Sequence, residues 1–367
     1  MPQVAFHAPL KPPSHPVPSG DRKMARQLIT LLERAGHEVA PVSELRSFLR
    51  DPDDSETRDG LRAHAQIERD RIARLWDLSG PPDLWMCYHP YYKSPDLIGP
   101  PLCQAFGVPW VSVEAALSAR RSIGHWAEWQ SYVQEAVGQA TVNVALTERD
   151  AIGLSEIVPE AKIARLAPFI DVVPWTKWPP CPDPGHLISF AMMRPGDKLE
   201  SFRCLAAALR RLKSNSWRLS VLGDGPARAE VAALFTGDLA ERVSFAGEAD
   251  EAAIAEALST ANACVWPGIG EAFGLAYLEA QAAGVPVVAL RTAGVPEVVR
   301  DHQTGFLVEP DAGPSGLAAA IDRLLDDPGL ARQLGATARD ICLSHHSLKA
   351  AGTRLDSILN QWVWSSR

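Results

Sequence analysis

Two kinds of apolar pattern alternate along this chain. Short runs of apolar residues predict β-strands, and between them the apolar positions recur every three or four residues, as on one face of an α-helix. Residues 21–36 show the helical pattern, with Gly36 where the C-terminal end of a helix usually has a glycine. Strands are predicted at residues 4–8, 37–42, 83–89, 108–113 and 141–147 in the first half and at residues 186–192, 217–222, 243–246, 263–267, 286–290 and 305–308 in the second.

This alternation of strands and helices predicts an α/β protein with parallel sheets that helices cover on both faces. The 367 residues are enough for two domains of this kind. Residues 172–185 are too rich in proline for regular structure and lie near the middle of the chain. We therefore predict a Rossmann-like domain at residues 1–171, a linker at 172–185 and a second Rossmann-like domain at 186–345. Domains of this type bind ligands at the carboxyl ends of their strands.

The composition and charge of the chain exclude several classes of protein. With 46% hydrophobic and 22% charged residues, the chain has the proportions of a soluble globular enzyme. The net charge of −8 is spread over both halves, which leaves no basic surface for nucleic acid. No apolar run approaches the roughly 20 residues of a membrane span, and the N-terminus lacks the apolar core of a signal peptide. The six cysteines are scattered, with no spacing typical of a metal site, so we expect a cytoplasmic enzyme.

The segment GEAFGLAYLE, residues 270–279, follows a predicted strand and carries two carboxylates around a turn. Gly274 is predicted to begin a helix, which leaves the backbone N–H groups of residues 273–275 free to bind a phosphate. Glu271 and Glu279 can accept hydrogen bonds from vicinal hydroxyls, so they suit a sugar and a ribose on either side of a pyrophosphate. Alternatively, Glu279 is a buried salt-bridge partner and Glu271 complements the helix dipole.

Residues 270–310 resemble the signature block of the retaining glycosyltransferases of family four, which have the GT-B fold. The likeness extends from about residue 186 to residue 325, and more weakly over the whole chain. It implies two doubly wound Rossmann-like domains that face each other across a cleft, with a last helix at about 346–367 that packs back on the first domain. The ordered matches are Glu271, Phe273, Gly274, Glu279, residues 284–288, Gly294, Glu297 and residues 301–310.

The same resemblance implies a donor site in the second domain. Lys198 matches a family lysine that contacts the donor diphosphate, and Arg194 is the arginine available for the same role, although the Gly-Arg dipeptide of the family is absent. Gly247 ends a segment that approaches the nucleotide base in the family. The implied donor-binding residues are Gly20, Gly247, Phe273, Gly274, Leu275 and Glu279, and the implied catalytic residues are Glu271, His89, Lys198 and Arg194.

In the first domain, the resemblance implies an acceptor site. His89 ends a predicted strand, where the family has a histidine at the cleft, although a histidine at a strand end is also a common structural residue. Glu114 stands where relatives often have a histidine. Gly20 belongs to the first loop, in which Ser19 and Gly20 replace the Gly-Gly pair of the family.

These features predict a glycosyltransferase that moves a sugar from a nucleotide-diphosphate sugar to an acceptor hydroxyl with retention of configuration, in cell-envelope or polysaccharide glycan synthesis. The resemblance implies attack from the face of the leaving group, with a donor phosphate oxygen as the base. Two cations would neutralise the departing diphosphate, so we expect neither a metal nor a cofactor.

Three alternatives remain open. They are an epimerase or phosphorylase on the same fold, a catalytically silent sugar-nucleotide-binding protein, and a nicotinamide-dependent oxidoreductase. The oxidoreductase is disfavoured because no G-x-G-x-x-G motif follows the first strand. The silent binding protein is disfavoured because Glu271, Glu279 and Lys198 are all present.

We expect the acceptor to be a glycan or a lipid-linked molecule, and any membrane contact to be weak and peripheral because the chain has no polybasic cluster. Trp362 and Trp364 instead favour contact with a membrane, because tryptophan is enriched at the membrane interface. Alternatively, these residues continue the last helix, which would pack on the first domain. Its predicted apolar stripe consists of Leu348, Ala351, Leu355, Ile358, Leu359 and Trp362.

Overall fold

A computed structural model of the chain describes residues 1–365. The chain divides into two compact units. Unit 1 comprises Met1–Ala167 together with the chain from Leu348 onward, and unit 2 comprises Pro168–Ser347. The proline-rich residues 172–185 belong to unit 2, where Pro174–Thr176 form a single 3-10 turn.

Unit 1 contains a six-stranded sheet in which every strand is parallel to its neighbours, in the order β2-β1-β3-β4-β5-β6. The predicted strands of the first half are confirmed to within a few residues. Strand β6 was not predicted, because its three residues are too few to show a periodic pattern. The elements are β1 (Gln3–His7), α1 (Gly20–Arg34), β2 (Glu38–Pro41), α2 (Ser55–Ser79), β3 (Leu84–Tyr88), α3 (Gly99–Phe106), β4 (Trp110–Val113), α4 (Ala127–Gln139), β5 (Val142–Ala145), α5 (Glu148–Ile157) and β6 (Ile163–Arg165).

Unit 2 contains a second six-stranded parallel sheet, in the order β12-β11-β10-β7-β8-β9. All the strands predicted for the second half are confirmed. The elements are β7 (His186–Phe190), α6 (Asp197–Leu209), β8 (Arg218–Leu222), α7 (Arg228–Leu234), β9 (Val243–Gly247), α8 (Glu251–Ser259), β10 (Ala263–Val265), α9 (Leu275–Ala282), β11 (Val287–Leu290), β12 (Gly305–Val308), α10 (Gly313–Asp326) and α11 (Pro328–His345).

Each sheet has one point at which the chain changes direction across it. In unit 1 the chain passes from β1 to β2 on one side and then to β3 on the other, so the change lies between β1 and β3. In unit 2 the strands run outward from β7 to β9, and the chain then returns to place β10 on the other side of β7. A crevice forms at such a point because the two connecting segments leave in opposite directions. A ligand-binding site is therefore expected at the loops after β1, β3, β7 and β10.

The last helix, α12 (Leu348–Leu359), belongs to unit 1 and packs against α1. The predicted stripe from Leu348 to Leu359 is buried. The expectation for Trp362 is wrong: Val363 is the buried residue, and Trp362 is only partly buried. Residues 360–364 form a π-helical turn, which adds a residue to the turn and so shifts the buried position by one. The Trp364 ring lies 5.7 Å from the ring of His37.

Within residues 1–365, no helix is both long enough and apolar enough to cross a membrane.

A buried carboxylate, Asp96, organises the core of unit 1. Burial opposes its ionisation, but the His7 charge and the surrounding donors outweigh that effect and hold the pKa of Asp96 well below its ordinary value. A carboxylate held in this way fixes the loop before α3 against three strands of the sheet, β1, β3 and β4. Its donors are His7 Nδ1 (3.0 Å), Trp85 Nε1 (2.9 Å), Trp110 Nε1 (3.1 Å), Ile98 N (3.1 Å) and Gly99 N (2.8 Å).

We predict that Asp96→Asn lowers the free energy of unfolding by about 3–5 kcal/mol, because the amide removes the buried charge and points a donor at other donors. Urea unfolding followed by tryptophan fluorescence measures the change. Asp77→Asn, on the exposed face of α2, is the matched control and should change the free energy by less than about 0.5 kcal/mol. Equal effects of the two substitutions would contradict the role given to Asp96.

Candidate functional site

The loop between β10 and α9 is a tight turn that glycines make possible. Gly268 and Gly274 both have positive φ, 71° and 84°. A Cβ on Gly268 would collide with the hydroxyl of Tyr277, and a Cβ on Gly274 would collide with its ring. The Tyr277 hydroxyl donates a hydrogen bond to the Trp266 carbonyl at 3.0 Å, which closes the loop on itself. The start of α9 is thus held close to the end of β10.

Glu271 lies on this loop and forms an ion pair with Lys198, in the first turn of α6. The same Glu271 oxygen accepts a hydrogen bond from Trp266 Nε1 at 3.0 Å, and the Lys198 ammonium lies 5.4 Å from the centre of the Trp266 ring. The pair is only partly buried, with 32% of the Lys198 side chain and 18% of the Glu271 side chain exposed. Both groups are therefore accessible to a ligand.

A hydrogen-bonded bridge joins the loop that carries Glu271 to the start of α6, which carries Lys198. The Ile269 N–H donates to Ser201 Oγ at 3.0 Å, and Ser201 Oγ donates to the Asp197 carbonyl at 2.8 Å. The structure therefore brings together two residues that the sequence placed 73 positions apart, because β7 and β10 are neighbours in the sheet.

The other residues predicted around α9 lie at its start and along its inner face. Phe273 and Gly274 are buried, and Leu275 is partly buried. Glu279 is 8% exposed in the second turn of α9. Burial, with a smaller contribution from the Glu279 charge, raises the pKa of Cys264 to about 12, which locates the Glu279 carboxylate beside β10.

Arg194 lies in the loop between β7 and α6 and is partly buried. Within residues 1–365 its guanidinium makes no hydrogen bond or ion pair, so it is available to an anion. The loop is fixed against the one after β8, since the Met193 N–H donates to the Asp224 carbonyl at 2.9 Å. Gly247 ends β9 with a φ of 76° and has open space where a Cβ would be.

In unit 1, the loops after β1 and β3 meet at the second site. Gly20 is exposed at the start of α1, whose N-terminus is capped by Ser19. His89 follows β3 with a φ of 57°, and its Nδ1 lies 3.2 Å from the carboxylate of Asp21, the second residue of α1. Burial lowers the pKa of His89, but Glu114 and Asp21 outweigh it and raise that pKa to about 9.

Glu114 follows β4 and is 4% exposed, with a φ of 60°. Burial raises its pKa to about 7, although the charge of His89 opposes this. The hydroxyl of Tyr88 hydrogen-bonds to the carboxylate, while Glu114 Oε2 has no partner. In the sequence, Glu114 was noted only because relatives often have a histidine at that position, and Asp21 and Asp150 were not identified. Both aspartates lie in the first turn of a helix that directly follows a strand, and this position could have indicated them.

Comparison with known proteins gives these residues a family context. Residues 186–327 match the family model described as glycosyl transferases group 1. Over 157 residues the chain is 32% identical to the alpha-D-kanosaminyltransferase of Streptomyces kanamyceticus, covering 42% of this chain and 40% of that protein. Over 124 residues it is 36% identical to the N-acetyl-alpha-D-glucosaminyl L-malate synthase of Bacillus anthracis, covering 34% and 32%. The matches thus span about two fifths or less of these relatives.

Solved structures match over the whole chain. Sucrose-phosphate synthase from Thermosynechococcus elongatus superposes with a TM-score of 0.79 at 21% identity, covering 100% of both chains. HepE from Anabaena, in complex with UDP, superposes with a TM-score of 0.73 at 15% identity, covering 98% of this chain and 100% of that one. At these identities the likeness concerns the fold, and it confirms the predicted GT-B architecture. The chain has the GT-B fold, and its residues 186–327 match the model of the glycosyl transferases group 1 family.

Proposed function

We propose that the protein is a glycosyltransferase that moves a sugar from a nucleotide-diphosphate sugar to an acceptor hydroxyl with retention of anomeric configuration. The observation that carries the proposal is the Lys198–Glu271 pair beside the start of α9, at the point where the chain changes direction in unit 2. The family of residues 186–327 and the transferase names of the relatives support it. Structures of HepE contain UDP and UDP-glucose, which supports a nucleotide sugar as donor.

The donor diphosphate would bind between the start of α9 and two cations. The backbone N–H groups of residues 273–275 lie at the start of the helix and are orphan donors that favour a phosphate. Arg194 contributes a guanidinium that is unpaired in the described part of the chain, and Lys198 an ammonium. Two cations and a helix start can balance the charge of the departing diphosphate, so we propose that binding requires no divalent metal.

The ion pair gives the site a way to respond to the donor. Before the donor binds, Lys198 and Glu271 satisfy each other's charge. A diphosphate carries more negative charge than one carboxylate, so Lys198 would turn to it and release Glu271. Glu271 would then accept hydrogen bonds from hydroxyls of the sugar, while Glu279, deeper along α9, would accept those of the ribose.

Transfer with retention then needs few protein groups. The acceptor oxygen attacks the anomeric carbon from the face that the diphosphate leaves, and the bond from that carbon to the phosphate oxygen breaks. A phosphate oxygen takes the acceptor proton, and Lys198 and Arg194 stabilise the negative charge on the departing diphosphate. The protein positions the two substrates, and no side chain needs to form a covalent bond to the sugar.

The acceptor would bind to unit 1 beside His89 and Gly20. The His89 imidazole carries a proton at neutral pH, because its pKa is raised to about 9, so it acts as a hydrogen-bond donor there. We propose a glycan or lipid-linked acceptor of cell-envelope or polysaccharide synthesis, in a cytoplasmic enzyme with at most weak peripheral contact with membranes.

The first prediction for this function is that the protein binds one of UDP, GDP, ADP and TDP without a divalent metal. Calorimetry with each nucleotide, with and without a chelator, measures it. Lys198→Met should weaken that binding about tenfold or more, because a charge-assisted hydrogen bond to phosphate is lost. Lys213→Met, an exposed lysine of unit 2, is the matched control and should leave the affinity unchanged. Failure of all four nucleotides to bind, or loss of binding with the chelator, would exclude this donor site.

The second prediction separates the two glutamates. Glu279→Gln should weaken nucleoside-diphosphate binding about tenfold or more, because its proposed partner is the ribose. Glu271→Gln should leave that affinity intact or slightly increased, since Lys198 loses its competing partner, but should slow hydrolysis of the nucleotide sugar about tenfold or more. Glu230→Gln, on the exposed face of α7, serves as the control for both measurements. If Glu271→Gln and Glu279→Gln gave the same pattern, the assignment of roles would be wrong.

A further inference from the structure

Four strand-to-helix connections of unit 1 bring ionisable side chains to one place. Asp21 follows β1, His89 follows β3, Glu114 follows β4, and Asp150 lies in the first turn of α5 after β5. Each of the three carboxylates acts electrostatically on His89, and Asp21 and Asp150 also act on Glu114. We call these four residues the unit 1 cluster. It contains three acids and one imidazole.

Cations around the unit 1 cluster are few and lie at its margins. Lys11 lies near Asp21, and Arg149 and Arg165 lie near Asp150. Arg165 is already paired with Glu148. The charges that act most strongly on Glu114 are His89, Asp150 and Asp21, so two of the three repel it. One imidazolium therefore does not balance Asp21, Asp150 and the ionised form of Glu114.

Glu114 also has an unfilled hydrogen-bonding position. Its side chain is buried, and Tyr88 supplies one hydrogen bond, but Oε2 has no donor within hydrogen-bonding distance. Leaving a buried acceptor without a donor is costly, more so for a charged group, and proteins rarely retain one without a use. The unit 1 cluster thus lacks both a positive charge and a hydrogen-bond donor.

A metal ion does not fit this need. Among residues 1–365, the one group of His, Cys, Asp and Glu side chains whose ligand atoms lie within 4.8 Å of one another is His7, Cys87 and Asp96. No three side chains of the unit 1 cluster therefore lie close enough together to share one ion, whose ligands lie about 2–2.6 Å away. A protonated amino group of an organic molecule can donate hydrogen bonds in several directions, so it can bind carboxylates that are more widely spaced.

Aromatic side chains beside the unit 1 cluster suit a sugar ring. The ring of Tyr91 lies 5.2 Å from that of His89, that of Tyr92 lies 5.3 Å from Tyr91, and that of Trp126 lies 5.0 Å from Tyr92. All four are partly buried, and cations already lie over two of the rings: Arg121 and Lys93 lie 4.6 and 5.8 Å from the centre of the Tyr92 ring, and Lys93 lies 5.5 Å from that of Trp126. Aromatic surfaces of this kind bury the apolar C–H faces of sugars while polar edges remain wet.

We propose that the unit 1 cluster binds a protonated amino group of the acceptor, which makes that acceptor an amino sugar or an amino-substituted cyclitol. The ammonium would meet Asp21 and Asp150 from the solvent side, with the buried carboxyl group of Glu114 behind them, and its charge would favour the ionised form of that group. The proposal deepens the proposed function, since it rests on the acceptor binding to unit 1, and names the class of acceptor.

A matched set of small ligands tests the amino group directly. Ligand-observed NMR titrations of the full-length protein at neutral pH and low salt compare glucosamine, glucose and N-acetylglucosamine. We expect glucosamine to bind about tenfold or more tightly than either of the others, since a charge-assisted hydrogen bond is gained. N-acetylglucosamine keeps the nitrogen but loses the charge, so it separates charge from shape. Equal binding of the three ligands would overturn the proposal.

Substitutions within the unit 1 cluster test whether this cluster causes the preference for glucosamine. Glu114→Gln and, in case that buried change impairs folding, Asp150→Asn should each reduce the preference for glucosamine over glucose to below about threefold. Glu156→Gln, exposed on α5 outside the unit 1 cluster, is the control and should keep the full preference. A preference that persists undiminished in Glu114→Gln and Asp150→Asn would place the amine elsewhere and overturn the proposal.

Nucleoside-diphosphate binding, measured on the same samples, distinguishes failure of the proposed acceptor class from failure of the proposed transferase function. It depends on unit 2, whereas both substitutions lie in unit 1, so thermal unfolding followed by tryptophan fluorescence checks separately that unit 1 of each variant is folded. If a nucleotide binds and glucosamine shows no preference, the proposed class of acceptor is wrong and the transferase function stands. If no nucleotide binds to the wild-type protein, the proposed function itself fails.

Discussion

The constraint on which the rest of the structure depends is that every strand in both sheets runs parallel to its neighbours. Parallel strands cannot be joined by tight turns, so each connection crosses over and returns to the same edge, through an α-helix everywhere except between β11 and β12. As a consequence, the ends of β7 and β10 deliver Lys198 and Glu271 to one place although they are far apart in the sequence. The same geometry gathers His89 and its carboxylates in unit 1.

The two sites differ in how their charges are balanced. In unit 2, Lys198 and Glu271 neutralise each other, and Arg194 remains as a cation without a partner in the described chain, which favours an anion such as a diphosphate. In unit 1, acids outnumber bases around His89, and Glu114 is buried with an unfilled acceptor, which favours a cation. A donor that brings negative charge to one unit and an acceptor that brings positive charge to the other would complement these fields.

The positions of strands and helices could be read from the sequence because apolar periodicity reports which residues face a core. The predictions from apolar periodicity failed where the backbone is not a regular α-helix or where a strand is very short. At the end of the chain a π-helical turn moves the buried position from Trp362 to Val363, and no hydrophobic pattern encodes that shift. Strand β6 is held by pairing with β5, a tertiary interaction, and three residues alone carry no period.

The sequence by itself determined the α/β architecture, the family of residues 186–327 and the identity of the residues around Glu271, since these depend on patterns and motifs local in the chain. Only the tertiary structure decided which side chains meet. It paired Glu271 with Lys198, and it placed Asp21 and Asp150 beside His89 and Glu114. The physical reason is that the order of strands across a sheet is set by packing between distant segments, and this order determines which loops share an edge.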